Sequence, residues 1–308
     1  MNDTTHSTRP AVSLVATPTK RQAILELAGE SERRGFAGIA CPSLGATMSL
    51  CASLAHATSS IQYWTSIQPI YYNHPVELGN TAAHIHEVSG GRFSLGLGVS
   101  HAPVTKRLGV DAKTPLADIE HYVEQMRANE RFSGQLPPIL LATLRDKMLG
   151  LSLRIAHGAI WANASFSAIP RQISDVIGTP PATFRLANMI PTVIDDDVAA
   201  ARAVNRNTLT GYVILPNYRN YWRSAGYADE MDAIEAAIQS TPKEGLADAL
   251  TATMSDAWLD DCTISGSAST VRDRLEAWAA TGVQPIAVMS STSGGQAKAI
   301  SELFAAYQ

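Results

Sequence analysis

One short stretch of the chain places side chains that can move protons directly after a glycine-rich strand. In SGGRFSLGLGVSHAPVTKRLG (Ser89–Gly109), turn-forming glycines are followed by an apolar run and then by Ser100 and His101. A short apolar run bounded by glycines is typical of a buried strand, so both polar residues fall on the loop after it. Because an imidazole titrates near neutral pH, His101 is the candidate catalytic acid or base. The alternative is a loop histidine that only bonds the backbone.

The elements that position this loop alternate between strand-like and helix-like segments. Eight short segments are almost wholly apolar, as strands covered on both faces must be, and the segments between them repeat apolar residues at helical spacing. Eight alternations in 308 residues predict a single closed (β/α)8 TIM barrel, an α/β fold that needs about 250 residues. The predicted strands are Ala11–Pro18, Phe36–Cys41, Ile61–Pro69, Arg92–Gly98, Pro138–Leu144, Gly158–Asn163, Thr183–Ile194 and Pro285–Ser291.

Two parts of the single predicted domain, residues 1–308, fall outside the alternation. Residues 1–10 are polar and are expected to form a loose N-terminal tail. Residues 215–261 are too long for one connection, so they are expected to form a helical insertion before the last β/α unit.

Composition excludes several classes of protein. Hydrophobic residues make up 45% of the chain, charged residues make up 17%, and the net charge of −4 gives no reason to expect a nucleic-acid or membrane partner. No apolar run approaches the roughly 20 residues that span a bilayer, and MNDTTHSTRP lacks the features of a signal peptide. Cys41, Cys51 and Cys262 show no CxxC spacing, and His84 and His86 lie two apart, which puts them on different faces of a helix. We therefore expect a cytoplasmic protein without a metal site.

In a barrel of this kind, the active site lies on the loops that follow the strands. The rule selects residues 42–46, 66–74, 99–108, 143–146, 163–166 and 290–295. Side chains near these loops that could surround His101 are Ser100, Trp64, Gln68, Tyr71, His74, Trp161 and Asn163. Trp64 and Trp161 could equally fill the core.

Several segments, in the same order, resemble the bacterial-luciferase-like family of flavin and deazaflavin oxidoreductases. The most specific is the pattern HP…LGNTAA…SGGRFSLGLG between His74 and Gly98. PPILLATLRDKMLGLSLRIAHGAIW, VIDDDVAAARAVNRNTLTGYVILPNYRNYWRSAGY and ISGSASTVRDRLEAWAATGV also resemble family segments, so the similarity extends from about Ala11 onward. The resemblance implies a luciferase-like barrel and a homodimer. The SHAP version after strand four is similar to members that use coenzyme F420.

The resemblance also implies where a cofactor would bind. Family members commonly have a non-prolyl cis peptide behind the cofactor ring, and the matching positions are Ser66 and Ile67. Their cofactor phosphate lies on the turn that matches ATLRDK, where Arg145 replaces the usual glycine and Asp146 the usual proline. Arg145 could bind the phosphate through a charge-assisted contact, or it could fill the site, with Asp146 repelling the phosphate. The implied cofactor-binding residues are Ser66, Ile67, Gln68, Thr143, Leu144, Arg145 and Asn163.

Departures from the family bear on the substrate. Sugar-phosphate dehydrogenases of the family carry an Asp-His pair where this chain has Ser43 and Leu44, and a Glu where it has His101. Without that pair, the sugar-phosphate mechanism cannot operate here. The expected substrate is a different small organic molecule, in a pocket formed by Ser43, Leu44, Trp64, Tyr71, Trp161, Tyr218 and Trp222.

Three functions follow from the resemblance. The first is an oxidoreductase that uses coenzyme F420 to transfer hydride to or from an organic substrate. Lys106 and Arg107 could meet the phosphate and acidic tail of that cofactor, or they could be solvated surface charges. The second is an FMN-dependent monooxygenase that takes reduced flavin from a partner reductase. The third is a barrel that has lost catalysis and binds a cofactor or another small molecule.

Overall fold

The computed structural model describes residues 9–308, so most of the predicted tail (residues 1–10) lies outside the described residues. The strands are β1 (Ala11–Ser13), β2 (Gly38–Cys41), β3 (Tyr63–Thr65), β4 (Gln68–Pro69), β5 (Phe93–Gly98), β6 (Ile139–Ala142), β7 (Gly158–Ala162), β8 (Arg185–Ile194), β9 (Ile264–Gly266) and β10 (Gln284–Ser290). The helices are α1 (Arg21–Arg33), α2 (Thr47–Ala57), α3 (Pro75–Val88), α4 (Ala102–Arg107), α5 (Pro115–Ala128), α6 (Glu130–Ser133), α7 (Asp146–Ile155), α8 (Ile169–Gln172), α9 (Val198–Val213), α10 (Pro216–Ser224), α11 (Ala228–Ser240), α12 (Leu246–Thr253), α13 (Asp256–Cys262), α14 (Ala268–Ala280) and α15 (Gln296–Ala306).

The fold is the closed (β/α)8 barrel that the alternation of segments predicts. Its residues divide into two compact units. Unit 1 contains the chain up to Trp161 together with Val176–Ala187, and unit 2 contains Ala162–Asp175 and Asn188–Gln308. The single domain and the insertion at residues 215–261 stay predictions, although α10 to α13 do occupy that part of unit 2.

In unit 1 the strands follow the order β1-β2-β3-β5-β6-β7, with β4 also beside β5, and each pair with a given register is parallel. Parallel strands covered on both faces must be apolar, and every residue of β1, β2, β3 and β5 is buried. In unit 2, β8 pairs with β9 in parallel and also with β10.

Two helices illustrate how the sequence supplies a cap. The segment PVELGNTAAHIHEV, whose apolar residues recur at helical spacing, forms α3, where the His74 side chain accepts a hydrogen bond from the Val76 N–H and Pro75 stands at the first position. Helix α14 starts in the same way at Ser267, whose hydroxyl accepts from the Thr270 N–H. No helix within residues 9–308 is both long and apolar enough to cross a membrane.

Three elements differ from the prediction. The predicted strand Ile61–Pro69 is interrupted, and its halves β3 and β4 flank Ser66 and Ile67, whose peptide bond is cis as the family resemblance implies. The expected loop after β5 contains the short helix α4. Strand β9 was missed because three residues are too few to show a period.

Candidate active site

In unit 1, the predicted site residues follow neighbouring strands at their carboxyl ends. Because β2, β3, β5 and β6 are adjacent and parallel, the loops after them lie along one edge of the sheet. We call these the carboxyl-end loops of unit 1. They carry Ser43 and Leu44 after β2, Ser66, Ile67 and Gln68 after β3, His101 after β5, and Thr143, Leu144 and Arg145 after β6.

A β-bulge lies between β3 and β4. From Trp64 to Gln68 the chain advances four positions, whereas the paired residues of β5 advance only three, from Ser94 to Leu97. The extra residue bends the strand and redirects its side chains. Both neighbouring strands fix the bulge: the Thr65 hydroxyl donates to the Gly96 carbonyl at 2.7 Å, and the Ser66 N–H donates to the carbonyl that ends β2 at 2.7 Å.

The glycines of FSLGLG exist to admit this bulge. A Cβ on Gly96 would lie 1.9 Å from the Thr65 carbonyl oxygen, and a Cβ on Gly98 would lie 2.6 Å from Ile67 Cδ1. Cβ atoms do not approach other atoms so closely, so β5 must be bare at these two alternate positions. Strand β5 therefore packs closely against the bulge at Ser66 and Ile67 through its two glycines.

Two hydroxyls at the carboxyl-end loops are buried without a hydrogen-bond partner among residues 9–308, Ser66 Oγ and Thr143 Oγ1. A buried, unsatisfied hydroxyl costs about 1–3 kcal/mol, so such groups indicate a place for a ligand. Thr143 stands just before α7, whose cap residue, Arg145, makes no side-chain cap bond and is exposed. The N-terminus of α7 thus lies beside an unpaired hydroxyl and an exposed guanidinium, and its first turn also carries the Asp146 carboxylate.

His101 stands immediately before α4, and its carbonyl accepts from the N–H groups of Val104 and Thr105. Ser100 has a φ of +63°, which turns the chain sharply at the end of β5. Burial lowers the pKa of His101 below its usual 6.5, so the imidazole is neutral at pH 7. A neutral imidazole carries one donor and one acceptor nitrogen, which suits it to transfer a proton.

The aromatic residues predicted near His101 have fixed positions in unit 1. The Tyr71 hydroxyl donates to the Asp118 carboxylate of α5 at 2.6 Å, and burial together with this carboxylate raises its pKa. The Trp64 ring covers Gly38 at the amino end of β2, where an added Cβ would lie 2.4 Å from the ring. Trp161 is fully buried. The structure therefore directs Trp64 away from the carboxyl-end loops, and a role for these rings in a pocket stays a prediction.

A cavity of about 210 Å³ opens among residues of unit 1 beside the loop after β2. It includes the predicted residues Ser43 and Gln68, and it adds helix residues that sequence reasoning missed. Strand-end rules select loops and pass over side chains in the first turns of the following helices. The lining residues are Ser43, Gly45, Ala46, Thr47, Met48, Ser49, Gln68, Tyr72, Asn73, Glu77, Leu78 and Thr81.

In unit 2, the loop after β7 is held by helix α10. The Trp222 Nε1–H donates to the Asn163 carbonyl at 3.2 Å, and the Ser165 N–H donates to the Tyr221 hydroxyl at 2.9 Å. Asn163 has a φ of +56°, and its side-chain nitrogen is buried without a hydrogen-bond partner within residues 9–308. The Tyr218 and Trp222 rings, predicted to line a pocket, pack 5.4 Å apart in a buried aromatic cluster of this unit.

The fold places the protein among the α/β barrels, a class that hosts many different enzymes. A family model described as luciferase-like monooxygenase matches residues 4–285. The chain therefore belongs to the luciferase-like monooxygenase family, and the family resemblance of its motifs is confirmed.

Known proteins extend the comparison. The chain is 23% identical over 264 residues to 4-hydroxyprotoasukamycin monooxygenase of Streptomyces nodosus subsp. asukaensis, a match that covers 84% of this chain and only 62% of that relative's length. The coenzyme F420-dependent tetrahydromethanopterin reductase from Methanopyrus kandleri shares the fold, with a TM-score of 0.74, 17% identity and 96% coverage of both chains. The oxygenating constituent of 3,6-diketocamphane monooxygenase from Pseudomonas putida, in complex with FMN, also shares the fold, with a TM-score of 0.63 and 14% identity. The match covers 97% of this chain and 96% of the Pseudomonas chain.

Proposed function

We propose that this protein is an oxidoreductase that binds coenzyme F420 and transfers hydride to or from a small organic substrate. The observation that carries the proposal is the unsatisfied Thr143 hydroxyl beside the N-terminus of α7, with Arg145 at its cap. A phosphate group suits these donors, because the hydroxyl and the guanidinium both donate hydrogen bonds and the dipole of α7 favours an anion. Arg145 is exposed, which leaves its guanidinium available to the phosphate.

The remaining carboxyl-end loops fit the other parts of such a cofactor. The bulge at Ser66 and Ile67 offers a buried hydroxyl to its ring, with Gln68 beside it. When bound, the cofactor supplies the hydride chemistry, and the protein supplies position, protons and exclusion of water. His101 is neutral at pH 7 and would accept the proton that an alcohol substrate loses as it gives up hydride; in the reverse direction, the imidazolium so formed would return that proton.

Helix α4 favours the deazaflavin over FMN. Lys106 and Arg107 occupy its last turn, both are exposed, and neither forms an ion pair within residues 9–308. Coenzyme F420 ends in an acidic tail that FMN lacks. Two cations without an ion-pair partner in the last turn of α4 therefore suit the larger cofactor. By contrast, the nearby Lys113 already pairs with Asp111 at 2.6 Å.

The second candidate is an FMN-dependent monooxygenase supplied with reduced flavin by a partner reductase. The family description, the Streptomyces relative and the FMN complex favour it. The same Thr143 and Arg145 donors would bind the FMN phosphate, so the cofactor decides between the two functions.

Equilibrium titrations of the purified protein with coenzyme F420 and with FMN, followed by fluorescence, test the proposal. We expect micromolar binding of coenzyme F420, weakened roughly tenfold in a double variant Lys106→Ala, Arg107→Ala, about the 1.4 kcal/mol that two exposed charge contacts supply. Lys113→Ala is the matched control and should leave binding unchanged. Binding of FMN alone would favour the monooxygenase, and binding of neither would favour a barrel without catalysis.

The homodimer and the cytoplasmic location also belong to the proposal. Sedimentation velocity on the full chain should give twice the mass of one chain. A sedimenting species of single-chain mass across micromolar concentrations would contradict the dimer.

A further inference from the structure

From the geometry of unit 1 we infer that the cavity beside the loop after β2 is a subsite for a neutral amide-like group of the organic substrate. Gln68 and Asn73 would recognise this group through hydrogen bonds. This inference deepens the proposed function and rests on it in calling the ligand a substrate. The cavity, at about 210 Å³, is smaller than the roughly 300–1,000 Å³ of a pocket for a whole ligand. It therefore takes one group of a larger molecule.

The two amides form a pair with a defined outward face. Gln68 Nε2 donates to Asn73 Oδ1 at 3.0 Å, and neither side chain makes another hydrogen bond with residues 9–308. Each amide has one carbonyl oxygen and one NH2 group, so the pair keeps the Gln68 oxygen as an acceptor and the Asn73 nitrogen as a donor. If both amides turn over together, one donor and one acceptor still remain. The pair thus matches a ligand that offers N–H and C=O side by side.

Neighbouring elements hold this pair in place. Gln68 is buried in β4, where it lies opposite Leu97 in the parallel register with β5. The backbone carbonyl of Asn73 accepts from the Tyr122 hydroxyl of α5 at 2.9 Å. Tyr71 is bonded to the same helix through Asp118, so α5 fixes the segment on both sides of Tyr72. Groups that are fixed before binding lose little entropy when a ligand arrives.

The rest of the lining indicates a neutral ligand. Ser43, Ser49 and Thr81 add hydroxyls, and the single charged lining residue is Glu77. Without a basic side chain in the lining, the cavity does not suit a carboxylate or phosphate. At the rim, Leu44 is 63% exposed and Tyr72 is 41% exposed, which suits a ligand with an apolar body. A carboxamide or lactam on an apolar ring system has this chemistry.

The test uses two small probes with the full-length, cofactor-free protein. 2-Pyridone offers adjacent N–H and C=O groups, whereas N-methyl-2-pyridone has the same ring and carbonyl but carries a methyl group in place of the N–H donor. Ligand-observed NMR titrations should show millimolar binding of 2-pyridone and binding of the methylated probe weaker by about tenfold, the factor that one hydrogen bond of roughly 1.4 kcal/mol provides.

A matched pair of variants locates the binding. Asn73→Asp keeps an oxygen for Gln68 Nε2 but removes the outward donor, so it should weaken 2-pyridone by about tenfold or more. Asn80→Asp makes the same change in α3 outside the cavity lining, where the Asn80 side-chain oxygen accepts from Asn129 at 3.3 Å, and should leave binding unchanged. Equal thermal melting of both variants and the parent confirms that each is folded.

Three results would overturn the inference. The first is equal affinity for the two pyridones, and the second is an unchanged affinity for 2-pyridone in Asn73→Asp. The third is tighter binding of benzylamine, whose ammonium group Glu77 would attract. Each result would contradict the assignment of the cavity to an amide group. The cofactor titration is separate, because Asn73→Asp should bind coenzyme F420 as the parent does. If the parent binds neither cofactor, the proposed function fails while the probe result stands.

Discussion

Two sets of buried polar side chains, at opposite ends of the strands in unit 1, differ in their hydrogen bonding. At the amino end of β5, Arg92 is 8% exposed, and its five N–H groups all donate hydrogen bonds. The acceptors are Ser89 O at 2.8 Å, Thr58 Oγ1 at 2.7 Å, Ile61 O at 3.3 Å, Ala55 O at 2.9 Å and Thr58 O at 3.0 Å. This one side chain joins the ends of α2 and α3 to the start of a strand.

At the carboxyl end of the same sheet, the hydroxyls of Ser66 and Thr143 are buried and have no partner within residues 9–308. Barrel enzymes separate stability at one end from chemistry at the other. The difference teaches that Arg92 uses all of its donors to hold the chain, whereas the unpaired hydroxyls of Ser66 and Thr143 are the groups that we propose for a ligand. Four substitutions or titrations break or sharpen this contrast.

Removing Arg92 should have the largest effect. Arg92→Met leaves at least four buried carbonyl groups without donors, and we expect the free energy of unfolding to fall by about 3–5 kcal/mol in urea denaturation. Arg33→Met, on the exposed face of α1, should change it by less than about 0.5 kcal/mol. Equal losses in the two variants would contradict a special role for the amino end.

Adding one methyl group behind the bulge should have the next largest effect. In Gly96→Ala the new Cβ meets the Thr65 carbonyl, so the strands must separate at a cost of about 1–3 kcal/mol. Gly79→Ala is the control. Gly79 lies in helix α3, where alanine is favoured over glycine by about 1 kcal/mol, and the new Cβ would lie 3.8 Å from the Leu136 side chain, an ordinary contact distance. Opposite signs are expected in thermal melts, and a neutral Gly96→Ala would show that the bulge can yield.

One substitution made at both ends tests the contrast directly. Thr143→Val removes a hydroxyl without a partner, so stability should stay level or rise by up to about 1 kcal/mol while cofactor affinity falls. Thr58→Val removes a hydroxyl that donates to Leu54 and accepts from Arg92, so stability should fall by about 1–3 kcal/mol with affinity unchanged. If both variants lose the same stability, Thr143 has a structural partner.

The smallest effect is a dependence on pH at the amino end. Burial alone would raise the Glu32 pKa, but the backbone N–H groups of Ser60, Ile61 and Ser59 lower it from 4.5 to about 2. Since the folded pKa is depressed, its contribution to stability is complete above pH 4.5 and is lost as pH falls towards 2. Urea denaturation at several pH values should show a shallower acid decline in Glu32→Gln than in the parent.

The sequence predicts most of the fold because its signals are local and repeated. Pro75–Val88 has a proline start and helical spacing, and the bounds of α3 match it residue for residue. The loops that we propose for a cofactor follow from the rule about strand ends, and the bulge position follows from family resemblance. The roles of Arg92 and Asn73 could not be predicted, since an arginine in a motif is indistinguishable from a surface charge until its acceptors are placed. The Gln68–Asn73 pair depends on a turn whose path is set by α5.

The bare positions of β5 have a consequence for altering this protein by directed evolution. Gly96 and Gly98 are residues of β5 whose Cβ atoms would collide with Thr65 and Ile67 at the bulge. A library that randomises only the cavity lining would leave both glycines unchanged. In a library that also randomises Gly96 and Gly98, most variants would be unable to form the bulge at Ser66. Specificity can therefore be searched by varying residues such as Ser43 and Asn73, provided that these two glycines are held constant.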